Sequence, residues 1–519
     1  MSGKRFRELV LVFVAVLAAS TAAWAQEVKP KDVMADAKWL FSSDEGKTFT
    51  LETLEVQPNE RASVIAQVTF TVDDPSGVGG LFYVPARGWN PSLTLNEKAL
   101  AGPIRRMRYV WFPMDPKDYL VKGKNVLLAR GAVHNKGKEP MKVQIPGRFE
   151  LVPPEMVGIQ TGPILGAAGA DFFTLTCRTN MPAAVTVTAE PVDPAGGEKT
   201  SAASQLGFYH RLRVPLAKGT RKFKYTVTSQ AGKASKTDGP ITVTVPGLGD
   251  QKFRFVAAGD CRSYPKSWAA VAAGMRKAEP EVVLFTGDLL SDGLWDWQWD
   301  VEFFNPAKAM LSSVPFYCAI GNHEHHAPVY FELMYSPGGD GKSANWSQTF
   351  GDVLLIGIDG SQNWGGNSPN GQWLEGVLKE SKAKFIFLAT HYPAYSSGPH
   401  GRRPDGGMAW SRKTIMPLLA KYNATAMIAG HDHIYERSEP PKGQGVTCIV
   451  SGGAGAPIYG RSAKNSFSKA FASKLHYCLF EINGDVCEMK VLEPNGKVID
   501  QKTFEAREIP AAAEEKKAA

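Results

Sequence analysis

From Ser63 to Val72 the chain alternates apolar and polar side chains over most of its length, the period of a strand with one buried face. Leu93-Thr94-Leu95 stops at Asn96-Glu97, a turn signal, and Lys122-Gly123-Lys124 introduces the returning run Asn125–Leu128. Short runs of this kind, cut by Gly, Pro and Asn, predict a first β-sandwich. Pro153-Pro154 marks a boundary. Beyond it come Phe172–Cys177, Ala184–Thr188, Tyr209–Val214, Phe223–Thr228 and Ile241–Val245. Short strands at that spacing, about seven in a hundred residues, predict an immunoglobulin-like sandwich. The pattern changes at Phe253. Continuous apolar runs now alternate with helix-like stretches at Trp268–Ala278, Trp299–Leu311, Gln372–Lys382 and Ser411–Tyr422, the layout of layered α/β architecture with buried strands. After Ala506 the chain is rich in Ala, Glu and Lys, the composition of a disordered tail.

The first residues change the picture of where the protein works. Lys4, Arg5 and Arg7 precede an apolar core, Leu9–Ala19, that is short for a membrane span. Ala23-Trp24-Ala25 then offers small residues at the two positions a signal peptidase inspects. The domain expectation is therefore a signal peptide at 1–25, sandwiches at 26–150 and 151–247, an α/β domain at 248–505 and a tail at 506–519. No membrane span is expected after cleavage, and the mature chain is expected to be secreted or periplasmic. The formal net charge of +8 includes the basic start, and the remaining excess is spread thinly, so charge gives no support for a nucleic-acid scaffold role. Six cysteines in a long chain are sparse for a disulfide framework. Cys478 and Cys487 flank Asn483-Gly484; a turn there that sets Phe480 opposite Cys487 leaves a bridge between them open.

The chemistry concentrates where buried strands end. Phe253–Ala258 runs into Gly259-Asp260, and Val282–Phe285 leads to Gly287-Asp288. Phe316–Ile320 ends at Gly321-Asn322-His323-Glu324, Phe385–Ala389 delivers His391, and Ala424–Ala429 delivers Gly430-His431-Asp432-His433. In an open α/β sheet the carboxyl ends of strands converge on one edge, where ligands bind. Alone, each residue has a structural reading as a turn former or helix cap. Together they are candidate metal ligands: six of the ten histidines (His323, His325, His326, His391, His431 and His433) fall in this stretch, and His400 adds a seventh.

That ordered series resembles the calcineurin-like metallophosphoesterases, and within them the purple acid phosphatase branch. The resemblance covers about residues 250–500 and extends to the sandwich before them, which is similar to the fibronectin-type domain preceding the catalytic domain in purple acid phosphatases. The first sandwich resembles jelly-roll modules of the galactose-binding-like type. The fold implied is α/β (α+β): a metallophosphoesterase sandwich of two mixed β-sheets flanked by helices, preceded by two all-β domains. The resemblance also implies two metal ions (iron, zinc or manganese) bridged by Asp288. One is held by Asp260, Asp288 and His433, the other by Asp288, Asn322, His391 and His431. Oxygen and imidazole donors suit such borderline ions, and an ion pair lowers the pKa of water while neutralising phosphoryl oxygens. His323 is expected to face the substrate as a phosphate contact or proton donor.

Two positions depart from the family pattern. Ser291 stands where purple acid phosphatases carry a tyrosine, and Arg262 stands where many other members carry a histidine. Arg262 has two readings, a grip on a phosphate oxygen or a structural salt bridge. His400, Arg402 and Arg403 lie in a Gly/Pro-rich loop after His391 and are candidates for substrate choice. Ser451–Pro457 reads as a tight turn near the site, and Trp295, Trp297 and Trp299 read as helix packing. The function expected is a secreted binuclear-metal hydrolase cleaving phosphate esters by attack of a metal-bound hydroxide, a phosphomonoesterase with a small-molecule substrate. The alternatives are a phosphodiesterase on the same site, or a metal-binding protein with a degenerate phosphoesterase domain that contacts carbohydrate or cell-surface material through its N-terminal domain.

Overall fold

The computed structural model describes residues 31–509 apart from 74, 76–78, 86–91, 101–103, 107–108, 115, 144–147, 248–251 and 335–342. The expected signal segment and the last ten residues of the expected tail lie outside the described residues. The described residues divide into two compact units, the first chiefly from 31–100 and 112–157, the second chiefly from 158–230 and 235–509.

In the first unit the alternating run becomes the strand Arg61–Val72. It sits in a five-stranded sheet ordered Trp39–Phe41, Arg61–Val72, Gly123–His134, Ser92–Leu95, Lys98–Ala99. Val68 pairs with Leu127, which also pairs with Leu95, and all three are buried. Asn96 and Asn125 close the two turns together, Asn96 Nδ2 donating to Asn125 Oδ1 at 2.7 Å.

The second unit begins with the sandwich. Two of the expected strands are halves of one: Phe172–Asp193 runs 22 residues. It pairs with Gly207–Pro215 along its first part and with Lys222–Ala231 along its second, with a register shift between Arg178 and Ala183. One strand serves both sheets because an irregularity re-aims it midway.

Two larger sheets follow. The first has Lys252–Ala258, Val282–Phe285 and Phe316–Cys318 in parallel, continued by the antiparallel strands Tyr477–Asn483, Val486–Leu492 and Val498–Glu505. The second has Val353–Ile358, Phe385–Thr390, Ala426–Ala429 and Thr447–Ser451 in parallel, with antiparallel strands at both edges. Phe255, Leu284, Tyr317, Phe387, Ile428 and Phe480 fill the space between the sheets, with Phe255 and Phe480 stacked at 4.5 Å. Alternate residues face outward under helices: Val256 and Phe285 beneath Trp268 and Phe303, Ile356 and Leu388 beneath Leu374 and Leu419. Strands buried on both faces read as unbroken apolar runs.

The hairpin register corrects one expectation. The turn places Ile482 opposite Cys487 and Cys478 opposite Val491. Four residues along a strand is about 13 Å, beyond disulfide reach. The turn centres on Gly484-Asp485, one residue later than an Asn-Gly turn would, and Gly484 takes the left-handed φ of 61° that it requires. All six cysteines are free and buried. The chain also stays anchored past Ala506: Arg507 donates to the carbonyls of Ser381, Ala383 and Tyr422. Among the described residues no helix is long and apolar enough to cross a membrane.

Candidate metal centre

The parallel strands of both sheets end at one edge, and their next residues form the site. Asp260, Asp288 and His431 adopt left-handed backbone, with φ of 62°, 55° and 70°. Each such residue costs of order 1–3 kcal/mol and persists where its surroundings over-determine it. The adjoining glycines let the backbone crowd in. A Cβ on Gly321 would strike Asp288 Oδ1, and one on Gly430 would strike Asp260 Oδ2.

His391 Nε2 is the hub. It lies 3.0 Å from Asn322 Oδ1, 3.1 Å from His431 Nδ1 and 3.4 Å from Asp288 Oδ1. Donors about 2.1 Å from one ion stand about 3.0–3.4 Å apart in octahedral or tetrahedral arrangement, so the spacing fits a divalent ion. His391 Nδ1 donates to the Thr286 carbonyl at 2.9 Å, which turns the Nε2 lone pair inward. Burial pushes the His391 imidazole down to about 4, so it is neutral at pH 7, as a metal ligand must be. Asp260, Asp288 and His391 are buried, with donor atoms within 4.8 Å of one another. Burial and the Asp288 charge hold the Asp260 carboxyl well above its usual range, an arrangement that a cation relieves.

Beside this group, His433 Nε2 lies 3.6 Å from Asp260 Oδ1. Its Nδ1 is 2.7 Å from the Pro457 carbonyl, and the Tyr459 ring stacks on it at 4.1 Å. Burial, then the Arg262 charge, push His433 down to about 3. The structure thus brings Asp260, Asp288, Asn322, His391, His431 and His433 together. The Ser451–Pro457 turn backs them, since its N–H groups donate to the Ile434, Gly259 and Asp260 carbonyls and are not aimed at a ligand.

Three predicted side chains flank the donors. His323 Nδ1 is 2.6 Å from the Ser291 carbonyl, and its Nε2 is 3.8 Å from Asp288 Oδ2. Arg262 Nε is 3.5 Å from Asp288 Oδ2. His400 Nδ1 is 2.9 Å from Asp432 Oδ1, and that hydrogen bond raises the imidazole above its ordinary value. The His400 ring lies 3.9 Å from that of His431. Arg402 and Arg403 are exposed, and Trp299 is fully buried, its Nε1 donating to Gly293 O.

Sequence reasoning missed the carboxylates behind these groups. Glu324 accepts from the N–H groups of Gly321, Asp288 and Leu289, tying two ligand loops together. Burial and the Asp288 charge lift it to about 8. Glu302 accepts from Ser263 N, Ser291 N and Ser291 Oγ. Asp432 also accepts from Ser396 Oγ, and Asp405 Oδ2 lies 2.9 Å from His431 Nε2 but off the hydrogen-bond direction. Asp432, set between two histidines, carried the one usable signal.

The calcineurin-like phosphoesterase family model matches residues 253–435. Human tartrate-resistant acid phosphatase type 5 is 26% identical over 260 residues, 41% of this chain and 76% of that protein. For the rabbit and mouse counterparts the match spans half of the relative's length. An Arabidopsis thaliana protein described as a probable inactive purple acid phosphatase 27 is 23% identical over 244 residues, 42% of this chain and 37% of its own. Among solved structures, a purple acid phosphatase from yellow lupin seeds aligns with TM-score 0.59 and 14% identity, covering 87% of this chain and 96% of that one. That likeness is one of fold.

Proposed function

We propose, from the match of residues 253–435 to the calcineurin-like phosphoesterase family model, that the chain is a metal-dependent hydrolase of phosphate esters, acting on small-molecule phosphomonoesters outside the cytoplasm. The observation that carries the reading is the inward-facing, neutral His391 Nε2 with an amide oxygen, a carboxylate oxygen and a second imidazole within 3.4 Å. A divalent ion held by Asp288, Asn322, His391 and His431 would supply Lewis acidity and a water acidic enough to attack phosphorus at neutral pH. Asp260 and His433 extend the donor set toward a second cation. Chelated protein should lose hydrolysis of p-nitrophenyl phosphate and regain it with zinc or manganese; full turnover in metal-free chain would rule the reading out. Comparing that monoester with bis(p-nitrophenyl) phosphate separates monoesterase from diesterase.

His323 is placed to pass a proton to the leaving oxygen. With Nδ1 engaged by Ser291 O, Nε2 faces the Asp288 side of the cleft and can donate to the leaving oxygen. A positioned acid contributes about 10²–10⁴-fold where the leaving group needs protonation. His323→Ala should therefore keep its metal and lose kcat/KM on alkyl phosphates by that factor, and far less on nitrophenyl phosphates. An equal loss on both would reassign His323 to phosphate binding, and loss of metal would make it a ligand. A second reading, metal binding without turnover, draws on the relative described as probably inactive; the same hydrolysis measurements decide against it or for it.

A further inference from the structure

We infer that the Arg262 guanidinium serves as the second cation of the site: the chain retains one divalent ion, among Asp288, Asn322, His391 and His431, and fills the position among Asp260, Asp288 and His433 with its own positive charge. This rests on the metal-site reading above. The guanidinium faces the donor atoms an ion would take there, with Nε 3.5 Å from Asp288 Oδ2 and Nη2 3.4 Å from His433 Nε2. Because His433 Nδ1 is engaged by the Pro457 carbonyl, its Nε2 lone pair is directed at the guanidinium.

The side chain leaves a loop fixed on both sides. Asp260 and Ser263 are both left-handed, at φ of 62° and 73°. Ser263 N donates to Glu302 at 2.8 Å, and the buried Cys261 Sγ contacts Leu289 O. These contacts fix the backbone on both sides of Arg262 and lower the entropic cost of holding its side chain in this position. Ser291 supplies no replacement donor, since it directs its hydroxyl to Glu302 Oε2 at 2.8 Å. Two dications plus a guanidinium would exceed the charge of the Asp260 and Asp288 carboxylates. One dication plus the guanidinium comes closer to balance, and a guanidinium can, like a metal, hold phosphoryl oxygens. Nε makes no hydrogen bond among the described residues and has Asp288 Oδ2 as its near anionic neighbour.

The test is a metal count. Purified full-length chain is loaded with excess manganese(II), desalted and measured by elemental analysis, with electron paramagnetic resonance reporting whether the ions are coupled in pairs. Wild type should retain one uncoupled ion per chain, and Arg262→His and Arg262→Gln should each rise to two, coupled. Two ions retained by wild type, or both variants folded and still at one, would overturn the inference. So would retention of none. If neither variant folds, the wild-type count and its spectrum still decide it. Turnover is read separately: one ion retained with no hydrolysis of p-nitrophenyl phosphate upholds the inference and removes the phosphoesterase reading.

Discussion

Asp288→Ala is expected to purify with almost no tightly bound divalent metal and to lose turnover by on the order of 10³-fold or more, whereas Asp260→Ala keeps most of its metal. Asp288 Oδ1 is one of the donors around His391 Nε2, at 3.4 Å, and it also accepts from His323 N at 3.0 Å. Its other oxygen faces Arg262. Removing the carboxylate takes the only anionic donor from the group Asp288, Asn322, His391 and His431, and leaves Arg262 close to a dication with nothing between them. Asp260 sits on the other side, near His433 and bonded by His431 N, so its loss affects the neighbouring position first. Elemental analysis of both variants, alongside kcat/KM, checks the order. Equal metal content in the two would count against Asp288 as the shared ligand.

The second large effect is on stability. Arg178 lies in the long sandwich strand and is fully buried; it pairs with Asp296, also buried, and with Asp300 at 2.9 Å. Asp300 further accepts from Thr161 Oγ1. Breaking a buried pair from one side costs about 3–5 kcal/mol, because the abandoned charge stays out of water. Arg178→Met should cost that much in denaturant unfolding of the full chain, with two carboxylates left facing each other. Arg178→Lys should restore little, since one ammonium cannot replace a fork that reaches both aspartates. The triple replacement of Arg178, Asp296 and Asp300 by apolar residues should recover most of the loss. A change below about 1 kcal/mol in Arg178→Met would mean that the charges are otherwise balanced. The effect should also reach the site, because the segment beginning at Asp296 carries Glu302, which holds the Ser263 and Ser291 loops.

Much of the α/β domain was legible because its strands are buried on both faces. Phe385–Ala389 and Ala426–Ala429 are unbroken apolar runs, the first meeting Thr390-His391 and the second Gly430-His431, and that abrupt change locates a strand end without any knowledge of its partners. The glycines before Asp260, Asp288, Asn322 and His431 marked the same places for a steric reason. Less could be read where two distant segments decide the outcome. The fusion of two expected strands into Phe172–Asp193 depends on partners that change along its length. The hairpin register of Cys487 depended on which two residues form the turn. The loop that carries Arg262 is held at Ser263 by Glu302 and Ser291, about 30–40 residues away in sequence. Asp432 was visible between two histidines, yet its grip on His400 needed the loop after His391 to fold back.

The six cysteines give the molecule an internal set of gauges. None reaches the surface and none is paired. Burial holds the thiols of Cys478 and Cys487 up at about 12 and that of Cys448 at about 11. A thiol-specific reagent therefore meets no reactive group on the intact fold, since the thiolate is the nucleophile. Cys177 lies in the sandwich core, Cys318 in the core between the first sheet and its helices, and Cys478 and Cys487 in the inter-sheet core. Labelling at each in turn clocks the opening of its own layer, so the native sequence carries reporters for sub-global unfolding without any engineered probe.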